Sequence, residues 1–597
     1  MIENKDKLMY MFSSENLEDF EKQVKEVAKL GATHVFISQI EKSRWLWERD
    51  MSDPYPNWSM LLTSLFKIIR PKKLEQWLPK EFSERNYDYV RMKSDILKKY
   101  NLKGAMQIKE PFYLPEEVFR AHPDWRGPRC DHPRRAVNHY FSPCIDNQEV
   151  LDMYRDAMTK LCSEVNVDYF YILTNDSGGG LCWSSGLYVG KNGPSHCKDR
   201  PMADRVIGFL NTLNEGAQLA GKSVEIEINS NIGYKENEHA MDNIWMRLPD
   251  NMSVNKKNNK GKINTGDVNY LFYEYTLSPV KNIMVPFSFM NNLEEISRDQ
   301  YRNLRFNLSS CDFNEYYQML SKYNEHPTNG LLDRVRIITE VAEGIVGKER
   351  AKNLVEAWRY TEEGVEHFKD TALEGIVSCC VNQRWINRPF VLFPDELKPE
   401  EKDYYRKFQF QANDEAHAND LLDLQNSSFI RGYSGVFIAS MALDKAKKKF
   451  SKAISLLEGI IKSETDESLR NKLMLYTDRM RLLVCFMNNM HNAINFQQIV
   501  DTTDYDRVPE ISPEWPLDAE PNQLKFQEVT RREIDNTNDI IKLIKGRESV
   551  MLEIAATHEL EDVFLFSPKL TEQLKLKTDI MMDHLLDDKR LYVTNNK

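Results

Sequence analysis

Along the first 400 residues, short apolar runs that close on polar or Gly-containing loops alternate with longer stretches in which apolar residues return every three or four positions. The first pattern is that of buried strands and the second that of amphipathic helices. Their alternation is the rhythm of repeated βα units and of a parallel sheet. Strands are expected at Leu8 to Phe12, Thr33 to Ile40, Gly104 to Lys109, Val167 to Thr174, Ser223 to Ile228, Asn269 to Tyr275, Asn282 to Phe289 and Ile376 to Val381. Helices are expected at Leu17 to Lys29, Asn147 to Ser163 and Ala203 to Ala220. Eight such strands fit a closed (β/α)8 TIM-type barrel, with a doubly wound open sheet as the structural alternative. Asp333 to Phe368 reads as two helical stretches broken near Gly347, a long last crossover, and the Asn-, Lys- and Gly-rich segment Asn251 to Gly266 reads as a mobile loop.

Beyond the Pro-marked stretch Arg388 to Pro399 the strand signals stop. A division into a barrel over residues 1–400 and an all-α domain over 401–597 follows. Helices are expected at Asp444 to Lys462, Gln523 to Lys545 and Thr571 to Leu586, with Val508 to Pro521 as a loop. Leu482, Phe486, Met490 and Ile494 recur at every fourth position, a stripe that reads as packing surface.

The length of 597 residues exceeds what one core supports, and 41% hydrophobic, 11% aromatic and 29% charged residues exclude a disordered chain. With 80 basic against 91 acidic residues the net charge is −11, which argues against nucleic acid as a partner; the run Lys447 to Lys449 reads as a solvated helix face. The polar N-terminus and the absence of a long uncharged apolar stretch predict no membrane partner. Nine cysteines, two of them adjacent at Cys379 and Cys380, suit reduced thiols and a cytoplasmic location. A homo-oligomer is left open.

In a barrel the chemistry belongs where strands end. The run VDYFYILTNDSGGG closes on Asn175 and Asp176 before three glycines, and a carboxylate held there could serve as a general acid; an Asx turn or helix cap is the structural alternative. Glu110, closing KGAMQIKEP, and Glu274, in NYLFYEYTLSP, are candidates for the second carboxylate that glycosidic cleavage commonly needs. Glu225 and Glu227 share one strand face, and Asn229 and Asn231 follow towards the loop as amides suited to hydroxyls. Trp45, Trp47, Trp125 beside Arg126, Trp183, and Trp385 between Arg384 and Arg388 offer aromatic faces and polar groups for a sugar, although each taken singly is more often packing. Cys130, His132 and Cys144, with Cys182, His196 and Cys197, lack the spacing of a zinc site, and phosphate-loop, zinc-protease and serine-hydrolase motifs are missing. No metal and no cofactor is expected.

Three stretches carry a resemblance: FRAHPDWRG at Phe119 to Gly127, SPCIDNQEV at Ser142 to Val150 and NDSGGGLCW at Asn175 to Trp183. Together they resemble barrel glycoside hydrolases of the bacterial α-glucuronidase and β-hexosaminidase-like kind. The resemblance implies a carbohydrate substrate, with Asn175 orienting an acetamide and Asp176 as general acid. Asp stands where the hexosaminidases carry Glu, and Asn where they carry Asp, which keeps the two-carboxylate route open beside substrate-assisted retention. A glucuronidase-like site would instead ask Arg384 or Arg388 to hold a uronic carboxylate. A non-catalytic sugar-binding barrel and a metal-dependent hydrolase or lyase are the rivals.

Overall fold

The computed structural model describes residues 5–12, 14, 16–39, 63–129, 141–173, 200–229, 244–269, 279–299, 301–308, 314–369, 382–408, 432–503, 521–555, 557–558, 561 and 566–588. Local signals set the first unit. Asn16 accepts a hydrogen bond from the amide of Asp19 at 2.9 Å and starts helix Leu17–Lys29. Phe20, Val24 and Val27 bury one face of it, each contributing roughly 1.5–3 kcal/mol. The helix ends where Gly31 takes φ +81°.

Ten strands occur in chain order among the described residues: β1 (Lys7–Met11), β2 (His34–Phe36), β3 (Lys103–Lys109), β4 (Arg126–Arg129), β5 (Phe141–Pro143), β6 (Val167–Leu173), β7 (Glu225–Asn229), β8 (Met252–Val254), β9 (Thr265–Asn269) and β10 (Asn303–Asn307). Strands β4 and β5 form an antiparallel hairpin. The other eight form one parallel sheet in the order β8-β7-β6-β3-β2-β1-β10-β9. That order runs steadily with the sequence and never reverses, so the sheet is singly wound. The doubly wound alternative is excluded, and the fold is an α/β barrel of the (β/α)8 TIM type followed by helices.

The two ends of the sheet, β8 and β9, are joined by a short built turn. Asn255 and Lys256 adopt positive φ of 48° and 67°. Val254 bridges Lys257, which bridges Ile263. Inside the turn the Asn258 side chain donates to Asn264 Oδ1 at 2.7 Å and accepts from the amides of Lys260 and Lys262 at 3.0 and 3.1 Å. The expected mobile loop is therefore a strand and an ordered turn; its Asn and Gly content serves left-handed backbone.

Two expected strands shift. Asn282 to Phe289 is not a strand: Pro286 begins helix Pro286–Arg298, and the preceding apolar residues Ile283, Met284 and Val285 are simply buried. The expected sixth strand, Asn269 to Tyr275, meets β9 only at Asn269, the rest of it lying outside the described residues; the sixth strand of the sheet in chain order is β8 and β9 is the seventh. Ile376 to Val381 also lies outside the described residues. The last strand in chain order is β10, which lies between β1 and β9.

The break at Gly347 is present, with φ +76°, between helices Leu331–Val346 and Lys348–Lys369. These helices follow β10, so they are not a barrel crossover; the second packs along Gly432–Ser463, and a Cβ on Gly364 would fall 2.8 Å from the Phe450 ring. Helices Glu467–Thr502, Pro521–Ile544 and Leu570–Asp583 complete this layer, with Leu482, Phe486, Met490 and Ile494 all buried as packing surface.

Candidate functional site at the barrel mouth

Register decides which side chains enter the barrel. The pairs Tyr169↔Glu225, Tyr171↔Glu227 and Leu173↔Asn229 put alternate residues of β6 and β7 on one face, and Asn303↔Thr265, Arg305↔Asp267 and Asn307↔Asn269 do the same for β10 and β9. Met9, Phe36, Ala105, Tyr169 and Tyr171 cluster there, apart from the main core between sheet and helices.

The interior is layered. At the N-terminal end Lys7 meets Glu225 at 2.5 Å, and Asn303 donates to Glu225 at 3.0 Å. One layer up, Arg305 donates to Asp267 at 2.6 Å, lies 3.7 Å from Glu227 and stacks 3.6 Å from the centre of the Tyr171 ring. Tyr169 donates to Glu227 at 2.8 Å, and Lys256 from the closing turn reaches Asp267 at 2.6 Å. Burial alone would lift the Asp267 carboxyl, but Arg305 and Lys256 outweigh it and hold the group below the usual carboxylate range. Burial likewise opposes the Arg305 charge, and Asp267 and Glu227 overcome it. Burial raises both tyrosine hydroxyls.

At the C-terminal ends, Asn229 donates its amide to the Tyr171 hydroxyl at 3.2 Å. Asn307 ends β10 in the same layer, buried, and Lys109 ends β3. This is the polar floor of the mouth.

Of the residues singled out from sequence, Asn229 stands on this floor, and Glu225 and Glu227 share the interior face as expected. Glu110 follows β3 on its other side: it accepts from the amides of Leu65 and Phe112 at 2.5 and 3.2 Å and from the Tyr154 hydroxyl at 2.8 Å. Burial pushes its carboxyl up to about 7 against those donors and Lys67. Trp125 is buried, stacked on His122 at 3.8 Å, with its N–H on Glu149 at 3.0 Å. Trp385 and Arg388 lie inside the helical layer, where the Trp385 carbonyl accepts from Asn489 and Arg388 donates to the Tyr405 hydroxyl at 2.7 Å. Arg384 falls in helix Asn382–Asn387, its side chain outside the description. Asn175, Asp176, Trp183, Asn231 and Glu274 lie outside the described residues, as do Cys130, His132, Cys182, His196 and Cys197; Cys144 is a buried free thiol.

Tyr171, Arg305, Asp267 and Lys256 were not singled out from sequence. The alternation in DYFYIL marks Tyr169 and Tyr171 as one face, but their partners come from strands far away in the chain. Among the described residues no helix is long and apolar enough to cross a membrane.

No protein-family model and no curated protein sequence matches this chain. Solved structures are similar in fold. A glycoside hydrolase of family 138 targeting pectin rhamnogalacturonan II is 9% identical over 98% of this chain and 68% of that one, with a TM-score of 0.52. An O-GlcNAc hydrolase mutant from Thermobaculum terrenum is 8% identical over 98% of this chain and 96% of that one, with a TM-score of 0.37. A family 36 α-galactosidase from Geobacillus stearothermophilus is 11% identical over 54% and 42%, with a TM-score of 0.30. The first of these likenesses shows the fold, barrel and helices together.

Proposed function

We propose that the chain is a glycoside hydrolase whose substrate binds at the C-terminal mouth of the barrel. The observation that carries this reading is the floor itself: a Tyr hydroxyl and amides at strand ends, above interior charges that neutralise one another. A family 138 glycoside hydrolase, similar in fold over 98% of this chain, supports the same reading. Asp176, three residues beyond the end of β6, acts as general acid, with Asn175 positioning substrate or nucleophile. Glu274, beyond the end of β9, is the stronger candidate for the second carboxylate, since both oxygens of Glu110 already accept hydrogen bonds on the far side of β3. Two carboxyl groups suffice for the chemistry, one protonating the leaving oxygen and the other serving as nucleophile or activating water.

The test is turnover of a panel of aryl glycosides and oligosaccharides by the wild type and Asp176→Asn. Loss of a general acid should cost roughly a hundredfold or more on substrates with basic leaving groups, and far less on dinitrophenyl glycosides, whose leaving group needs no proton. Equal loss on both classes would remove Asp176 from that role.

One observation favours a second reading, a barrel that binds sugar without cleaving it. Among the described residues the floor presents amides, a hydroxyl and the Lys109 amine, while the carboxylates beneath it, Asp267 and Glu227, face Arg305. Binding by both proteins with turnover by neither would establish it.

A further inference from the structure

We propose that Tyr171 and Asn229 are a specificity-determining pair that reads adjacent neutral hydroxyls on one edge of a sugar ring. The proposal rests on the carbohydrate reading of the mouth and deepens it by naming what the floor selects.

The two side chains come from neighbouring strands, β6 and β7, and meet at 3.2 Å between the Tyr171 hydroxyl and Asn229 Nδ2. With the amide nitrogen donating to the phenol oxygen, the phenol proton and Asn229 Oδ1 remain, one donor and one acceptor. Turning the amide over leaves a phenol lone pair and an amide N–H, again one acceptor and one donor. The pair therefore offers matched donor and acceptor sites side by side in either orientation. Adjacent hydroxyls of a pyranose lie about a hydrogen-bond length apart and can each give and take a proton, which is the complement of this arrangement.

The surroundings fix both position and charge. The Arg305 guanidinium carbon lies over the Tyr171 ring 3.6 Å from its centre and the guanidinium is held by Asp267 at 2.6 Å, so the phenol rests on a fixed group. The charge of Arg305 is answered by Asp267 and Glu227, and the pair itself is neutral. The Tyr171–Asn229 pair itself offers no charge to a carboxylate or phosphate on the sugar, whereas a ligand lacking one hydroxyl leaves a donor or acceptor of the pair unmet.

The probes are methyl pyranosides of the common hexoses and their monodeoxy analogues, titrated calorimetrically against the full chain. Tyr171→Phe should weaken the best parent sugar by about tenfold, the worth of one hydrogen bond in a partly dry site. It should cause no further loss for the deoxy analogue missing the hydroxyl that Tyr171 reads. Asn229→Asp keeps the shape and draws the phenol proton to its own carboxylate, so only acceptors face the sugar. It should lose the same contact, which keeps the test alive if Tyr171→Phe folds poorly. An unchanged affinity in both variants overturns the pair, as does an equal loss for the parent and every deoxy analogue. Turnover of glycosides with sugar binding indifferent to both variants removes this inference and leaves the hydrolase standing. Hydroxyl-specific binding without turnover does the reverse, and a chain that binds no sugar overturns both.

Discussion

Among the described residues, two networks of buried charge differ in where they sit, one inside the helical layer and the other beneath the proposed binding site in the barrel. In the helical layer Lys577 meets Glu533 at 2.5 Å, both fully buried, and Lys577 also donates to the Ile386 carbonyl at 2.8 Å. Asn489 and Asn492 donate to the same carboxylate at 2.7 and 2.9 Å. Both carboxylate oxygens are answered, and the contacts tie helix Asn382–Asn387 to three others. In the barrel, Arg305, Asp267 and Glu227 form a comparable cluster, but Arg305 Nη1 and Glu227 Oε1 have no hydrogen-bond partner among the described residues. Above it the Tyr171–Asn229 pair keeps one donor and one acceptor to spare. Burial of charge thus does not mark a site. The proposed site rests instead on position at the strand ends with hydrogen-bonding capacity left over.

The comparison breaks most sharply under removal of one cation from each network. Lys577→Met strands the Glu533 charge and should cost about 3–5 kcal/mol, read from the denaturant midpoint, with sugar affinity of the folded protein unchanged. Arg305→Met should cost a similar amount by stranding Glu227 and leaving Asp267 with Lys256 alone, and should also abolish calorimetric sugar binding by unseating Tyr171. Loss of sugar binding in both variants at temperatures where each is folded would erase the distinction drawn here.

A second pair of groups sharpens it through pH. Glu110 in the barrel and Glu362 in the helical layer accept their hydrogen bonds from neutral groups: Glu110 from two amides and Tyr154, and Glu362 from the amides of Phe287 and Ser288 at 2.6 and 2.9 Å and the Ser288 hydroxyl at 2.7 Å. Burial pushes each carboxyl from 4.5 up to about 7. A carboxyl raised by folding contributes stability that is full below its unfolded value and is lost as pH rises through the folded one. Stability should therefore fall between pH 4.5 and about 7, by on the order of 3 kcal/mol for each group. Glu110→Gln and Glu362→Gln should each flatten that slope in melting curves taken across the window. A slope unchanged in both variants would show that other groups set it.

The smallest expected effect concerns Trp125. Its ring is packed on His122 and its N–H is bonded to Glu149, so Trp125→Phe should cost about 1–2 kcal/mol in stability and leave sugar affinity alone. A drop in affinity would return this residue to the binding surface.

Much of the scaffold is legible because its signals are local. Helix Leu17–Lys29, with its Asn16 cap, and the break at Gly347 follow from caps, glycine and period alone. Strand β10 escapes such reading because Asn303, Arg305 and Asn307 point into the barrel, leaving only Leu304 and Phe306 as an apolar signal. Asn282 to Phe289 misleads in the opposite direction: it is apolar throughout its middle, yet Pro286 makes it the start of a helix. Site residues divide the same way. Asn229 is visible because it ends a strand. Trp385 and Arg388 show an aromatic beside a cation, a pattern that lining and packing share, and in the fold both are buried among helices. Arg305 and Tyr171 become partners only through the sheet register, which brings together positions more than 130 residues apart in the chain.

The most direct measurement is a crystal structure of Asp176→Asn bound to the sugar that the panel selects. A pyranose should lie in the barrel mouth with ring hydroxyls within about 3.5 Å of the Tyr171 oxygen and the Asn229 amide. A sugar seated instead on the helical layer, or in the mouth but turned away from both side chains, would contradict it.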